Sequence, residues 1–334
     1  MGVIQVLEPG LFTTVQDLGR EGFGPMGVSA SGAADKISLR MGNRLLANNQ
    51  GAPGLEMTLL GGTFAFPDGA VLALAGSDFG ATLEERPIEL WRAQVAKPKQ
   101  VLRLGPTRSG ARCYLCVQGG IEVEPFLGSA STHILSGLGG HEGRALRKGD
   151  ELKIGTRYVK GLAPWSASMP DREWALSPRT MEVLEPRKVI RVTDGPQSGW
   201  FSEGAKKVFY ESAYRVAEDS NRMGIRLQGA AISTPAGGEM ISEGVALGAI
   251  QVPEGGQPII LFVEQQTTGG YPKIANVISA DFHRLGQLRP RDEIRFQQVE
   301  PLGARSMLAF QEMVLENDLR DRRSLENEKR FLKR

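Results

Sequence analysis

Cysteine, histidine and long apolar runs are all scarce in this chain of 334 residues, and each scarcity removes a class of function. Only two cysteines occur, Cys113 and Cys116, both in the apolar run Arg112–Val117. A lone Cys-x-x-Cys lacks the second pair that a zinc site needs, and in a strand its side chains point to opposite faces, so the two read as buried thiols. The three histidines, His133, His141 and His283, are far apart with no cysteine at ligand spacing, and no metal is expected. No run of about 18 apolar residues is present, which argues against a membrane span. The N-terminus MGVIQVLEPG has neither a basic stretch nor a long apolar core, so a reduced, cytoplasmic location is expected. A phosphate loop, a dinucleotide-binding glycine fingerprint and a nucleophile elbow are likewise missing, so nothing marks a dehydrogenase or an α/β-hydrolase. The formal charge of +2 is small, and no basic block interleaves with aromatics, which sets nucleic acid aside as a partner.

What is present is an ordinary globular composition, 41% hydrophobic and 23% charged, in a chain longer than one core normally supports. Short apolar runs punctuated by glycine, proline and aspartate predict a mainly β fold in more than one domain. Such runs are Val3–Leu7, Glu56–Leu60, Thr63–Phe66, Val71–Ala75 and Ile88–Trp91. A helical pattern runs from Ile37 through Leu46, with Ser31 or Asp35 able to cap it. Leu146-Arg-Lys-Gly-Asp-Glu-Leu-Lys-Ile154 is echoed by Leu288-Arg-Pro-Arg-Asp-Glu-Ile-Arg-Phe296, and more loosely by Val95–Leu104. A turn-plus-strand unit recurring at this distance suggests two related β modules. Pro164–Pro186 reads as the connector. The expected division is a first domain over 1–185 that includes an N-terminal loop and helix, a second over 186–300, and a charged helical tail over 301–334. Leu308, Met313, Leu315 and Leu319 form the tail's apolar positions, placed to pack on the barrel or on another protein chain.

The stretch Gln265-Gln-Thr-Thr-Gly-Gly-Tyr-Pro-Lys273 concentrates amides, hydroxyls and a cation between two apolar runs, Pro258–Val263 and Ile274–Ile278. Two readings stand side by side: a hairpin loop whose glycines serve only the turn, and a site facing a cleft or partner. Similar polar loops carry Asp17 and Arg20, Arg144, Asn221 and Arg222, and Glu243. Together they supply cations for carboxylate or phosphate, and amides and hydroxyls for orientation.

Taken in order, Gly10–Arg20, Ser31–Asp35, Asn43–Leu45, Leu55-Glu56, Gly128–Thr132, Gly139–Arg144, Ser220–Gly224, Gly248–Pro253 and Gln266–Lys273 closely resemble one family. It is the group known as the 5-oxoprolinase C subunit, allophanate hydrolase subunit 2 or biotin-dependent carboxyltransferase, which includes the antagonist of the sporulation kinase inhibitor. The resemblance covers roughly residues 3 to 300. It implies a pair of cyclophilin-like β-barrel domains with a few helices. It also implies work alongside two partners, a smaller protein of the allophanate hydrolase subunit 1 type and a third of the LamB/YcsF type. That 5-oxoprolinase complex uses ATP to open the 5-oxoproline lactam to glutamate. The ATP site is either shared with the partners or supplied by them. Related sequences form the carboxyltransferase domain of urea carboxylase. This chain has no Met-Lys-Met-type biotinyl-lysine, so biotin would have to arrive on another protein. A non-catalytic regulator that binds the smaller, kinase-inhibitor-type partner is the third reading. The resemblance moves the Gln265–Lys273 stretch toward a site. Lys273, Arg144 and Glu243 are the expected catalytic residues. Asp17, Arg20, Asn221, Arg222, Gln266, Thr267, Thr268 and Tyr271 are expected to hold substrate.

Overall fold

Arg112–Val117 is apolar on both faces, and in the computed structural model it is the fully buried central strand of a five-stranded antiparallel sheet. The structure describes residues 2–156, 174–185, 188–234, 240–317 and 320–321. They form two units that interleave along the chain. The described residues within 1–19, 35–185 and 313–334 form the first, and those within 20–34 and 186–312 the second.

In the first unit the five-stranded sheet runs in the order Thr13–Gln16, Gly54–Thr58, Arg112–Val117, Ala70–Gly76, Ala93–Ala96. A seven-stranded sheet includes Val3–Glu8, Thr63–Phe66, Gln100–Arg103 and Glu151–Ile154. The inner faces of both sheets share one core, which contains Ile4, Phe64, Phe66, Leu72, Leu102, Leu115 and Leu152. Burying each Phe ring contributes on the order of 1.5–3 kcal/mol. Cys113 belongs to this core. Cys116, on the opposite face, sits under the helix Lys36–Leu45 with its sulfur 3.9 Å from the Leu39 carbonyl. Gly42 permits that approach, since a Cβ there would lie 2.8 Å from Cys116 Sγ. Burial pushes the Cys116 thiol up to about 12 and Cys113 higher still. Of the two candidate caps, Asp35 performs the task, accepting from Ser38 N at 2.9 Å.

The second unit is a closed seven-stranded barrel in the order Val189–Asp194, Lys273–Val277, Ala249–Gln251, Ile259–Leu261, Gly224–Gly229, Tyr214–Val216, Glu293–Gln298. Its ends close through one parallel pairing, Val189–Val192 against Arg295–Gln298, so the barrel has no open edge. Phe209 and Phe296 stack in its core with ring centroids 4.5 Å apart. Segment 20–34, expected with the first domain, groups with the barrel. It is tied there by Ser31 N donating to Val263 O at 2.9 Å and Arg222 Nη2 donating to Gly32 O at 2.6 Å.

The recurring turn has a physical basis. Asp150 accepts from Arg147 N at 2.7 Å and Asp292 from Arg289 N at 2.8 Å. In the looser copy Gln100 stands in for the aspartate and accepts from Lys97 N at 2.8 Å. The preceding residue has positive φ in all three, at Lys99, Gly149 and Arg291. The same turn therefore launches a strand twice in the first unit and once in the barrel.

The C-terminal helix spans Pro301–Glu316. Gln311 Nε2 donates to Ala280 O at 2.9 Å within the second unit, while Leu315 is fully buried and Met313 half exposed. Leu319, residues 164–173 and 186 of the connector, and residues 318–319 and 322–334 of the tail lie outside the described residues.

Candidate functional site

The Gln265–Lys273 stretch does not close a hairpin. The strands that flank it, Ile259–Leu261 and Lys273–Val277, are not neighbours, because Ala249–Gln251 lies between them and pairs with both. Both run antiparallel to that strand and hence parallel to each other, so the stretch is a crossover that returns the chain to the barrel end where Lys273 begins its strand. There Thr268–Gly269 forms a short ladder with Glu243–Gly244, and Val245 N donates to Thr267 O at 3.1 Å. Gln265 Nε2 donates to Val245 O at 3.1 Å.

This crossing brings several polar side chains over the barrel mouth. Lys273 begins a barrel strand and is 2% exposed, yet its Nζ reaches Glu243 Oε1 at 2.6 Å. Gln197 is buried beside them. Its Nε2 donates to Glu243 Oε1 at 2.9 Å, and its Oε1 accepts from Lys273 N at 3.2 Å. Glu243 is partly exposed, and its carboxyl is held below the ordinary glutamate range by the hydrogen bond from Lys273 first and Gln197 second. Gln251 is paired with Lys273 across the ladder, so both side chains share a face. The register shifts between Ile250 and Gln251, a bulge of the kind that re-aims side chains. Gln251 is 1% exposed. Its Oε1 accepts from Gln266 Nε2 at 3.4 Å, and its Nε2 has no hydrogen-bond partner among the described residues.

Of the residues expected from sequence, the structure thus gathers Lys273, Glu243, Gln266, Thr267 and Thr268. Tyr271 lies 37% exposed two positions before Lys273. Elsewhere in the second unit, Arg222 and Glu264 form a buried ion pair. Asn221 Oδ1 closes its own turn by accepting from Met223 N at 2.8 Å. Arg20 is buried with its backbone N donating to Ala30 O at 2.8 Å.

Asp17 and Arg144 lie in the first unit. The Asp17 carboxylate accepts from Gly19 N at 2.7 Å, Ala130 N at 2.7 Å, Ser129 Oγ at 2.6 Å and Ser131 Oγ, so it ties Gly128–Thr132 to the chain. It also borders a cavity of about 670 Å³ together with Asn49, Glu122, Glu124 and Lys153. Arg144 grips Asp150 with two hydrogen bonds, of 2.7 and 2.9 Å, and bonds Glu142 as well. The pairing raises the Arg144 guanidinium above its ordinary range and holds the Asp150 carboxyl down near 2.

Sequence reasoning missed Gln197 and Gln251 as site residues. Gln197 closes the turn sequence Asp194-Gly-Pro-Gln197, which carries no chemical signal of its own. Gln251 carried a usable signal, a polar side chain inside the apolar run Ala249–Val252. No group of His, Cys, Asp and Glu able to hold a metal ion occurs among the described residues. No helix among them is long and apolar enough to cross a membrane.

These features define a class: a mainly β protein with a closed barrel whose mouth carries a buried lysine among carboxamides. The chain belongs to the family of the carboxyltransferase domain, subdomain A and B, whose family model matches residues 26–298. It is 37% identical over 297 residues to the C subunit of 5-oxoprolinase from Escherichia coli (strain K12), covering 89% of this chain and 91% of that one. The corresponding C subunit from Haemophilus influenzae is 36% identical over 298 residues, with the same coverage. The crystal structure of the K. lactis urea amidolyase superposes with a TM-score of 0.85 at 30% identity, covering 94% of this chain and 20% of that chain.

Proposed function

We propose that the chain is the C subunit of an ATP-dependent 5-oxoprolinase complex and contributes to opening the 5-oxoproline lactam to glutamate. The observation that carries this reading is the buried Lys273, paired with Glu243 and Gln197 over the barrel mouth. It is supported by likeness along nearly the whole length of the bacterial C subunits, against a fifth of the urea amidolyase.

A lactam carbonyl is a poor electrophile because its carbon shares the nitrogen lone pair. In the opening reaction, the oxygen of water bonds to that carbon. The C–N bond then breaks with its electron pair going to nitrogen, which takes up a proton. Negative charge develops on the carbonyl oxygen as the carbon becomes tetrahedral, and a fixed cation in a water-poor site stabilises it more than bulk water does. Lys273 fills that role, and Glu243 and Gln197 hold its Nζ in place. One lysine already paired with a carboxylate suits a neutral carbonyl and does not fit the several charges of a triphosphate. The ATP site is therefore assigned to the two partners, the allophanate hydrolase subunit 1-like protein and the LamB/YcsF-type protein.

The family's description favours one second reading, a carboxyltransferase that takes CO₂ from carboxybiotin on another protein and transfers it to urea or a related amide. Two assays separate them. Mixing the chain with its two partners should elicit ATP hydrolysis that depends on 5-oxoproline. Transfer of labelled CO₂ from a biotinylated carrier, with no response to 5-oxoproline, would replace the first reading with the second.

A further inference from the structure

We propose that Gln251 is a ligand-binding residue whose side-chain N–H donates to the neutral carbonyl oxygen of an amide or lactam. The inference deepens the reading of Lys273 above and rests on it.

Three observations converge on the one side chain. Gln251 is buried to 1% exposure at the barrel mouth, and its Nε2 finds no partner among the described residues. Buried donors are nearly always satisfied, so an orphan on the same face as Lys273 signals a group that binds there. Its Oε1 already receives Gln266 Nε2 at 3.4 Å, whereas neither N–H of Nε2 is used, so the donor is the half with most to gain from a ligand. The chain crossing above it is glycine: a Cβ on Gly269 would lie 2.5 Å from Gln251 Nε2 and force the donor aside. Gly269 is absent from the positive-φ glycines, so its backbone does not demand glycine and the space does.

Charge selects the kind of oxygen. Gln251 pairs with Lys273 across the ladder, and Glu243 Oε1 at 2.6 Å balances that lysine. A carboxylate set on this donor would add a negative charge that nothing beside Gln251 offsets, whereas a carbonyl oxygen accepts from a neutral carboxamide without changing the balance, so in 5-oxoproline it is the lactam carbonyl, not the carboxylate, that meets Gln251. Lactams and urea share this carbonyl, and the test separates them.

The experiment titrates the full chain, labelled with ¹⁵N, with 2-pyrrolidone, 5-oxoproline, urea and acetate in turn. It follows the side-chain amide signals of Gln251, assigned by their loss in Gln251→Leu. A lactam should shift them and acetate should not. A response to urea in place of the lactams would keep the residue's role and move the substrate toward carboxyl transfer. Gln251→Leu removes the donor, and Gly269→Ala, whose Cβ would lie 2.5 Å from it, pushes it out of place without removing a polar group. Each should weaken lactam binding about tenfold or more, the equivalent of one hydrogen bond to a buried partner. Lactam affinity unchanged in Gly269→Ala, or Gln251 signals unmoved by every amide, overturns the inference. Failure of the complex to consume 5-oxoproline while the chain still binds lactam would overturn the 5-oxoprolinase reading and spare Gln251. An active complex whose KM for 5-oxoproline is unaffected by Gln251→Leu would do the reverse.

Discussion

Replacing Asp17 with Asn tests whether this carboxylate holds the first unit together. Its two oxygens divide the work: Oδ1 accepts from Gly19 N and the hydroxyls of Ser129 and Ser131, and Oδ2 accepts from Ala130 N. An asparagine can turn its oxygen toward only one of the two backbone donors. Whichever way it turns, its NH₂ group faces either Gly19 N–H or Ala130 N–H, and the serine hydroxyls lose a charged acceptor. A buried donor left unpaired costs about 1–3 kcal/mol, and the loss of charge assistance brings the total to about 2–4 kcal/mol. At roughly 2–4 °C per kcal/mol for a unit of this size, the melting temperature should fall by roughly 4–16 °C. Thermal unfolding followed by far-ultraviolet circular dichroism measures it directly. An Asp17→Asn chain that melts together with the wild type would refute the reasoning and return Asp17 to the 5-oxoproline question.

Lys273→Met should leave the barrel folded and lower the rate of 5-oxoproline opening in the assembled complex by about 10²–10³-fold, the usual effect of removing one charge-stabilising group. Asp150 is held near 2 chiefly by the Arg144 hydrogen bonds. A depressed folded value makes this contribution complete above the ordinary value of about 3.9, and it is lost as pH falls from there toward 2. Urea midpoints should therefore drop across that window in the wild type, and the drop should flatten in Arg144→Gln. Glu243, lowered by Lys273 first, should titrate at higher pH in Lys273→Met, as carboxyl carbon shifts in NMR would show. Cys113 and Cys116, both fully buried with their thiols pushed up, should ignore an aromatic disulfide reagent until the chain is unfolded.

Most of the strands were legible in the sequence because glycine, proline and aspartate bound runs of the right length, although Ile88–Trp91 is the turn between Arg86–Pro87 and Ala93–Ala96 and not a strand. The recurring turn was legible because an aspartate or glutamine sits three residues after the residue whose backbone N–H it accepts. Long-range order was not legible. Nothing local to Ile259–Leu261 and Lys273–Val277 reveals that Ala249–Gln251 inserts between them, and that insertion turned a plausible hairpin into a crossover between parallel strands. Segment 20–34 groups with the barrel through Ser31 N to Val263 O and Arg222 to Gly32 O, contacts that span about two hundred residues of chain. The site itself was half visible. Lys273, Glu243 and Gln266 stood out as polar groups beside glycines. Gln197 and Gln251 matter through their geometry, a hydrogen bond to Glu243 and an unsatisfied amide, and no sequence window contains either.

The central claim is that this chain completes a lactam-opening enzyme. The most direct measurement mixes it with the allophanate hydrolase subunit 1-like partner and the LamB/YcsF-type partner, supplies ATP and ¹⁴C-labelled 5-oxoproline, and quantifies labelled glutamate. The account predicts glutamate formed in step with ADP, only when all three chains are present, and suppressed by Lys273→Met. Glutamate formed at the same rate with this chain omitted, or none formed by a complex shown to be assembled, would contradict it.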